Sequence, residues 1–217
     1  MSPLRVTPLV CPNCSLALFG LRYDRVFICN RCADGLLVGE FGWERYPLKF
    51  AAAQVGPDDR PLHLPMWRME VAIKATAANS EQKVAIKKVG SQRVVWVTGF
   101  TLVRPSYYGD LGLLYTEKEI NPPALERAPH RAFLAGCANG PAEARRYAEL
   151  FITLILDKRS DVTGLELEIE PTSIELWAIP FFDRGDKIMD ALTGTELPAF
   201  AVDDLSDLRR LREKAAG

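Results

Sequence analysis

Alternating apolar and polar positions predict β-strands between residues 64 and 116. Met69, Val71 and Ile73 alternate with polar or small side chains, as expected for a strand that buries one face. Runs of β-branched and aromatic residues follow, and such residues pack well on a pleated surface. The predicted strands are 64–75, 84–89, 93–102 and 113–116.

Apolar residues spaced three and four apart predict a central helix that begins at Pro141. Proline suits this position because the N–H that it lacks would have no partner inside the helix. The predicted buried stripe comprises Tyr147, Leu150, Phe151, Leu154 and Ile155. A charged C-terminal helix is predicted over residues 203–216, with a narrow apolar seam at Leu205, Leu208 and Leu211.

Alternation of apolar and acidic residues returns at 165–170. The turn-forming residues at 171–173 then predict a hairpin whose second strand is 174–182. Glu166, Glu168 and Glu170 could form a carboxylate array for acid–base or metal chemistry. A solvated sheet face explains them fully and is our interpretation. A further pair of strands is predicted at 187–192 and 199–202.

These elements predict an α+β protein. Residues 51–60 have little pattern and contain Gly56 and Pro57, a composition typical of a linker. We therefore predict two domains, a cysteine-containing module at residues 1–50 and a larger domain at residues 60–217. The larger domain combines a mostly antiparallel sheet with one central and one C-terminal helix. With 217 residues, 48% hydrophobic and 25% charged, the chain is not intrinsically disordered.

Charge and hydropathy exclude two further classes of protein. The 27 basic and 28 acidic residues give a formal net charge of -1, so the whole chain is not a polycation for binding phosphates. The longest apolar run, LFITLIL at 150–156, is far shorter than the roughly 20 residues needed to cross a bilayer. The first residues lack the apolar core of a secretory signal. We expect a cytoplasmic protein with no membrane partner, in a compartment that keeps thiols reduced.

Four of the five cysteines form two CxxC pairs, CPNC at 11–14 and CNRC at 29–32. Two intervening residues let a tight turn point both sulfurs at one ion, while the N–H groups of the turn can hydrogen-bond the thiolates. Two such turns make a tetrahedral cage of four sulfurs, the coordination of many structural zinc sites. The predicted metal ligands are Cys11, Cys14, Cys29 and Cys32.

Around these pairs the sequence resembles the zinc-ribbon family. The matching residues are the two CxxC pairs, the strand at 26–28 before the second pair and the strand at 36–38 after Gly35. Ser15 and Ala33 depart from the commonest form, in which a glycine often follows the second cysteine of each pair. The resemblance covers roughly the first 40–48 residues and implies a small β-hairpin module folded around zinc.

Two other kinds of chemistry remain open for the same cysteines. A rubredoxin-like iron site would use the same four thiolates, and separate CxxC pairs could carry dithiol redox chemistry. We predict structural zinc because two pairs at this spacing favour one shared ion. A module of about 50 residues also has too little core to fold alone, and structural zinc supplies roughly 10 kcal/mol or more of folding free energy.

Other residues could take part in catalysis or contacts. Cys137 and His130 could form a nucleophilic pair, but no third orienting group is evident and a buried, inert cysteine is our interpretation. His63 has no neighbour at ligand spacing and is expected to pack or to face solvent. Tyr107 and Tyr108 lie in a proline-rich segment and could stack on bases or anchor a partner.

The module is slightly basic, at +2 over residues 1–50. Its basic residues are Arg5, Arg22, Arg25, Arg31, Arg45 and Lys49. This charge is weak for phosphate neutralisation, and the chain has no phosphate-binding glycine loop, no HExxH and no nucleophile elbow. Zinc ribbons act in transcription, replication, translation and protein–protein contacts, so the resemblance does not fix a function. We predict a non-enzymatic adaptor or assembly protein with a protein partner. The alternative is a nucleic-acid-associated factor, and an enzyme with its site at 104–140 is least favoured.

Overall fold

The protein is described from a computed structural model that covers residues 7–40, 42–53, 61–105, 109–129, 132–203 and 205–216. The predicted α+β class and the mostly antiparallel sheet are confirmed. The strands are β1 (Val26–Cys29), β2 (Asp34–Gly39), β3 (Gly42–Phe50), β4 (Leu62–Thr76), β5 (Gln92–Thr98), β6 (Phe133–Leu134), β7 (Glu166–Asp183), β8 (Lys187–Asp190) and β9 (Glu196–Pro198). The helices are α1 (Ser80–Val89), α2 (Leu111–Glu117), α3 (Pro141–Asp157) and α4 (Leu205–Ala216), with a short 3₁₀ turn at Ala199–Ala201.

The nine described strands form one sheet in the order β1-β2-β3-β7-β4-β5. Short β6 pairs with β4, while β8 pairs with β7 and then with β9. All pairings are antiparallel except β3 with β7 and β4 with β6. Strand β3 is the link between the two parts of the sheet, because its first residues pair with β2 and its last three pair with Leu176–Ala178 of β7. The sheet therefore runs from the cysteine-containing segment to β5.

The hairpin predicted at residues 165–182 is wrong, because β7 runs as a single strand along the whole length of β4. The register shifts between Glu70 and Val71, which lie opposite Ser173 and Pro171. Thr172 is the extra residue of this bulge, and its hydroxyl donates to the carbonyl of Glu70 at 3.1 Å. A bulge accommodates proline because it removes the need for a ladder N–H at that position. Turn-forming residues here bend a strand instead of reversing it.

Two segments predicted as strands, 84–89 and 113–116, are helical and belong to α1 and α2. Each helix begins with a side-chain cap. Asn79 accepts a hydrogen bond from the N–H of Gln82 at 2.9 Å, and Asp110 accepts one from the N–H of Leu113 at 3.1 Å. Such caps satisfy N–H groups that a first helical turn leaves unpaired. The caps and tertiary packing outweigh the apolar, β-prone composition of the short segments.

Helices cover both faces of the central strands. On one face Trp67 and Met69 of β4 pack in a core cluster with α1 and α3. On the other face Leu64 and Met66 pack with residues of α2 and α4. The predicted seam of α4 is confirmed at Leu205 and Leu208, both of which are buried.

The predicted apolar stripe of α3 is divided by the fold. Phe151 and Ile155 are buried as predicted, but the helix turns Ala144 and Ala148 towards the sheet beside them. Small side chains let the helix approach the strands closely. Tyr147, Leu150 and Leu154 are consequently left exposed, contrary to the prediction.

The first strand of the predicted C-terminal pair is confirmed as β8, but its partner is β9 at Glu196–Pro198, before the predicted second strand. Residues 199–202, predicted as a strand, form the 3₁₀ turn and the residue after it. Within the described residues, no helix has both the length and the apolar character needed to span a membrane.

Candidate metal centre

The first CxxC pair lies at the tip of a small hairpin. Val10 and Ala17 form an antiparallel bridge, and the N–H of Cys11 donates to the carbonyl of Leu16 at 2.8 Å. The N–H of Ser15 donates back to the carbonyl of Cys11 at 2.9 Å, which closes the turn between the cysteines. The hairpin therefore holds the Cys11 and Cys14 side chains on one side of a tight turn.

The second CxxC pair occupies the turn between β1 and β2. Cys29 is the last residue of β1, and its carbonyl accepts a hydrogen bond from the N–H of Ala33 at 2.8 Å. Ala33 and Ser15 have φ values of 53° and 58°, in the left-handed region that glycine adopts most easily. The two turns thus have the same closing geometry although neither contains the glycine common in zinc ribbons.

The four sulfurs lie close together, all within 4.8 Å of one another. The Sγ atoms of Cys11 and Cys32 are 3.8 Å apart, and those of Cys14 and Cys29 are 3.6 Å apart. A disulfide needs about 2.05 Å, so these sulfurs are not bonded to one another. Four thiolates at about 2.3 Å from a central ion would stand about 3.8 Å apart at the corners of a tetrahedron. The donor set and its spacing fit one tetrahedral metal ion.

The surroundings of the sulfurs affect their ionisation unequally. Burial opposes ionisation of Cys11, but hydrogen bonds from the backbone of Cys14 and Asn13 outweigh it and lower the pKa of Cys11 to about 7. Burial dominates at Cys29 and raises the pKa of its thiol to about 12. Asn13 also donates its side-chain amide to the sulfur of Cys32 at 3.3 Å. A bound divalent cation would favour the thiolate form of every ligand.

Beneath the sulfurs is a core of few residues. Leu18 and Leu36 are buried together with Cys11 and Cys29, and the rings of Phe27 and Trp43 meet edge to face at 6.4 Å. So small a cluster cannot offset the conformational entropy of ordering the segment. The sulfur cage is therefore suited to supplement the packing of the segment, which otherwise comes from this cluster and from Val26 and Ile28 in the main core.

The cysteine-containing segment is joined to the rest of the protein by backbone and side chains. Val26 of β1 forms an antiparallel bridge with Cys137, and Arg25 pairs with Glu143 of α3 at 2.6 Å. The ring of Tyr46 meets that of Trp67 at 5.1 Å. Each of these contacts joins a residue before the predicted linker to a residue after it. Residues 54–60 of that linker are outside the described residues. The division into domains at 1–50 and 60–217 stays a prediction.

Between this segment and α4 lies a cavity of about 210 Å³ that the sequence did not predict. Its lining is mainly apolar and includes Phe19, Ile28, Phe133 and Leu208. These residues come from four separate parts of the chain, so no local pattern could have revealed the cavity. Phe19 is also 69% exposed, an unusual position for a large apolar side chain.

The other candidate residues do not form a catalytic group in the described structure. Cys137 is fully buried, and burial raises the pKa of its thiol well above the ordinary value. His130, Tyr107 and Tyr108 lie outside the described residues. His63 is 4% exposed and packs against the ring of Phe50, and burial lowers the pKa of its imidazole to about 4.

The interpretation of the three glutamates of β7 as a solvated sheet face is confirmed. Glu166, Glu168 and Glu170 are exposed, and Lys74 of β4 pairs with the last two at 3.4 and 3.2 Å. Cross-strand ion pairs of this kind are typical of the solvent side of a sheet.

Most described basic residues of the cysteine-containing segment already pair with carboxylates. Arg45 binds Asp34 at 2.6 Å, Lys49 binds Glu175 at 2.6 Å, and Arg25 binds Glu143 as described above. Arg22 lies over the ring of Tyr23, with 5.4 Å between the guanidinium carbon and the ring centroid. Arg5 lies outside the described residues. The basic charge predicted from the sequence is therefore largely neutralised within the chain.

Comparison of the chain with protein-family models, with curated proteins and with solved structures gives no match in any of the three.

Proposed function

We propose that residues 7–50 form a zinc ribbon in which Cys11, Cys14, Cys29 and Cys32 bind one structural zinc ion. The grouping of four sulfurs at the spacing of a tetrahedron carries this proposal. All four donors belong to the protein, so the ion has no open position for a substrate, as in structural sites. Iron would have the same ligands but would give a coloured protein, so metal analysis together with an absorption spectrum separates the two.

The function that this arrangement supports best is that of a non-enzymatic adaptor that contacts a protein partner. Four large apolar side chains of residues 7–23, the stretch that contains the first CxxC pair, are exposed; we call them the knuckle surface: Leu9, Val10, Phe19 and Tyr23. Exposed apolar side chains near a rigid turn are typical of interaction sites. Zinc would fix the hairpin that carries Leu9 and Val10 and immediately precedes Phe19. The buried, un-ionised Cys137 supports a role without nucleophilic catalysis, and a reducing cytoplasm would keep the ligand thiols available.

A matched pair of phenylalanines tests the adaptor proposal. Phe19 on the knuckle surface is 69% exposed, and Phe200 near α4 is 64% exposed. Zinc-loaded wild type, Phe19→Ser and Phe200→Ser are each used to purify partners from native extract. We expect one protein at stoichiometric amount with wild type and Phe200→Ser and its loss with Phe19→Ser. Absence of a stoichiometric protein, or equal retention by both variants, would contradict the proposal.

Arg22 stacked on Tyr23 supports the alternative, a nucleic-acid-associated factor. Arginine and aromatic side chains together can bind single-stranded bases, and Arg31 adds an exposed positive charge beside the metal centre. Binding through these groups would weaken steeply with salt. The test is retention of the protein on immobilised DNA or RNA. Loss of retention in Arg22→Gln would favour this alternative, provided that Lys118→Gln, which changes an exposed lysine far along the chain, is still retained. No retention at low salt would remove it.

A further inference from the structure

The cavity between the cysteine-containing segment and α4 has a volume of about 210 Å³. Its apolar walls come from the loop before β1, from β1, from β6 and from α4, through Leu21, Ile28, Phe133, Leu134, Leu208 and Leu211. Ile28, Leu134 and Leu208 are buried, so these walls belong to the packed interior and not to a crevice between exposed side chains. Binding sites for small molecules are typically concave, mainly apolar spaces that contain a few polar groups.

Two polar side chains give this cavity its chemical character. Of the described residues that line it, Asp24 alone is charged, and Asn30 adds a side-chain amide. The Asp24 carboxylate is held in place because its Oδ2 accepts a hydrogen bond from the N–H of Leu21 at 2.7 Å. Gly136 lies directly against that carboxylate, and a Cβ at this position would overlap Oδ2. The chain thus places an oriented acceptor with a negative charge at the wall of a mainly apolar cavity.

We propose that this cavity binds a small aromatic molecule that carries a hydrogen-bond donor and no negative charge. The size follows from the volume. A cavity of about 150 Å³ can hold a benzene ring, so the larger space here accommodates a fused bicyclic ring such as indole. The donor is selected by Asp24, since a carboxylate accepts up to about four hydrogen bonds. The same charge would repel an anion, with little water between the two to screen the repulsion.

Phe19 marks the opening of the cavity. This side chain lines the cavity and is also 69% exposed, so the cavity meets solvent beside it. An aromatic side chain at an opening can pack against the ring of an entering ligand. Because Phe19 also belongs to the knuckle surface, the variants that test the cavity leave it unchanged. Their effects are therefore separate from any loss of a protein partner.

Titration of isotope-labelled, zinc-loaded protein with indole, followed by two-dimensional NMR, tests the proposal. We expect saturable shifts of amides that line the cavity, including those of Ala135 and Gly136, with a Kd of about 1 mM or tighter. The cavity-filling variants Ala135→Leu and Leu211→Trp should each weaken binding by about tenfold or more. Val84→Trp, at a 56% exposed position on α1, should bind indole like wild type. Circular dichroism of each variant shows whether it is folded, and the half-buried position of Leu211 tolerates a larger side chain if Ala135→Leu does not fold.

Matched probes test the role of Asp24. Indene has the shape of indole but lacks the N–H, and benzoate carries a negative charge. We expect indole to bind several-fold tighter than indene, and benzoate to show no saturable binding. Asp24→Asn keeps an acceptor for the N–H of Leu21 but removes the charge, so the preference for indole over indene should shrink.

Four results would overturn the proposal. They are the absence of saturable indole binding, unchanged binding in the folded cavity-filling variants, saturable binding of benzoate, and equal affinity for indole and indene in wild type. The last result would show that the cavity is only a gap in the packing that accepts any apolar molecule of suitable size.

Discussion

Cys137 and Val26 exchange two backbone hydrogen bonds: the N–H of Cys137 donates to the carbonyl of Val26 at 2.8 Å, and the N–H of Val26 donates back at 3.1 Å. The carbonyl of Cys137 also accepts from the N–H of Arg25 at 2.7 Å. Two residues earlier, the N–H of Ala135 donates to the carbonyl of His63 in β4. Residues 133–137 therefore connect the cysteine-containing segment with the central sheet.

The fifth cysteine should be chemically inert. Burial, with a smaller contribution from nearby Asp24, raises the pKa of Cys137, so the reactive thiolate is absent at neutral pH. We expect no labelling of Cys137 by N-ethylmaleimide in zinc-loaded native protein, measured by peptide mass spectrometry. The same protein in denaturant with a chelator should be labelled at all five cysteines. Rapid labelling of native Cys137 would show that this site is accessible.

Thr116 should stabilise the sheet by covering the edge of β5. Its hydroxyl accepts a hydrogen bond from the N–H of buried Trp96 at 2.9 Å and donates to the carbonyl of Gly112 at 2.8 Å. Thr116→Val keeps the shape but leaves that N–H without a partner, so the free energy of unfolding should fall by about 1–3 kcal/mol. Thr116→Ser, which keeps the hydroxyl, should cost less in urea denaturation. A larger loss for Ser than for Val would contradict the role of this hydrogen bond.

Ser15→Gly should stabilise the zinc-loaded protein. Ser15 is exposed and has a φ of 58°, a conformation that costs a non-glycine residue about 1 kcal/mol or more. Glycine relieves this strain but loses more backbone entropy on folding, so the net gain should be at most about 1 kcal/mol. Ala17→Gly, at an exposed position of the same hairpin without positive φ, should instead destabilise the protein. Thermal unfolding of both variants measures the difference, and equal shifts would contradict the strain at Ser15.

His63 should make the protein less stable in mild acid. Burial lowers the pKa of its imidazole from 6.5 to about 4, and Nδ1 has no hydrogen-bond partner among the described residues. The unfolded chain therefore binds the proton more readily than the folded chain as pH falls from about 6.5 to about 4. The free energy of unfolding should fall over this range, by up to about 3 kcal/mol from this group.

The control for this pH dependence is His63→Leu, which cannot titrate. Urea denaturation of both zinc-loaded proteins at several pH values compares their slopes, and metal release in acid is common to both. We expect the slope of the variant to be smaller between pH 6.5 and 4. Equal slopes would show that the folded protein accommodates the protonated imidazole.

The candidate metal site could be predicted because its chemistry is local. A CxxC turn needs only neighbouring residues to direct two sulfurs, and two such turns leave few other arrangements. Helix α3 could be predicted for a similar reason, since its 3.6-residue periodicity extends over four turns. The sequence could not show which apolar residues of α3 face the sheet. Ala144 and Ala148 lie on one side of the helix and Leu150 and Leu154 on the other, and the periodicity alone allows either side to be buried.

Helices α1 and α2 have local start signals in the sequence, although the apolar residues within them favour strands. Asn79 with Gln82 three residues later is a typical helix start, and Asp110 is a typical N-cap. The continuous strand β7 had no such signal. Whether residues 171–173 reverse the chain or form a bulge depends on β4, a partner about a hundred residues away. The same holds for the bridge between Val26 and Cys137, which no local pattern encodes.

Native mass spectrometry of protein purified under reducing conditions tests the metal centre most directly. We predict one zinc ion per chain in wild type and in Cys137→Ser, and none in Cys29→Ser. Cys29 belongs to the group of four sulfurs, whereas Cys137 does not. The two variants make the same substitution at buried cysteines, so loss of zinc in only one of them identifies the ligand. Wild-type protein without metal, or Cys29→Ser that keeps a full equivalent of zinc, would contradict the proposed site.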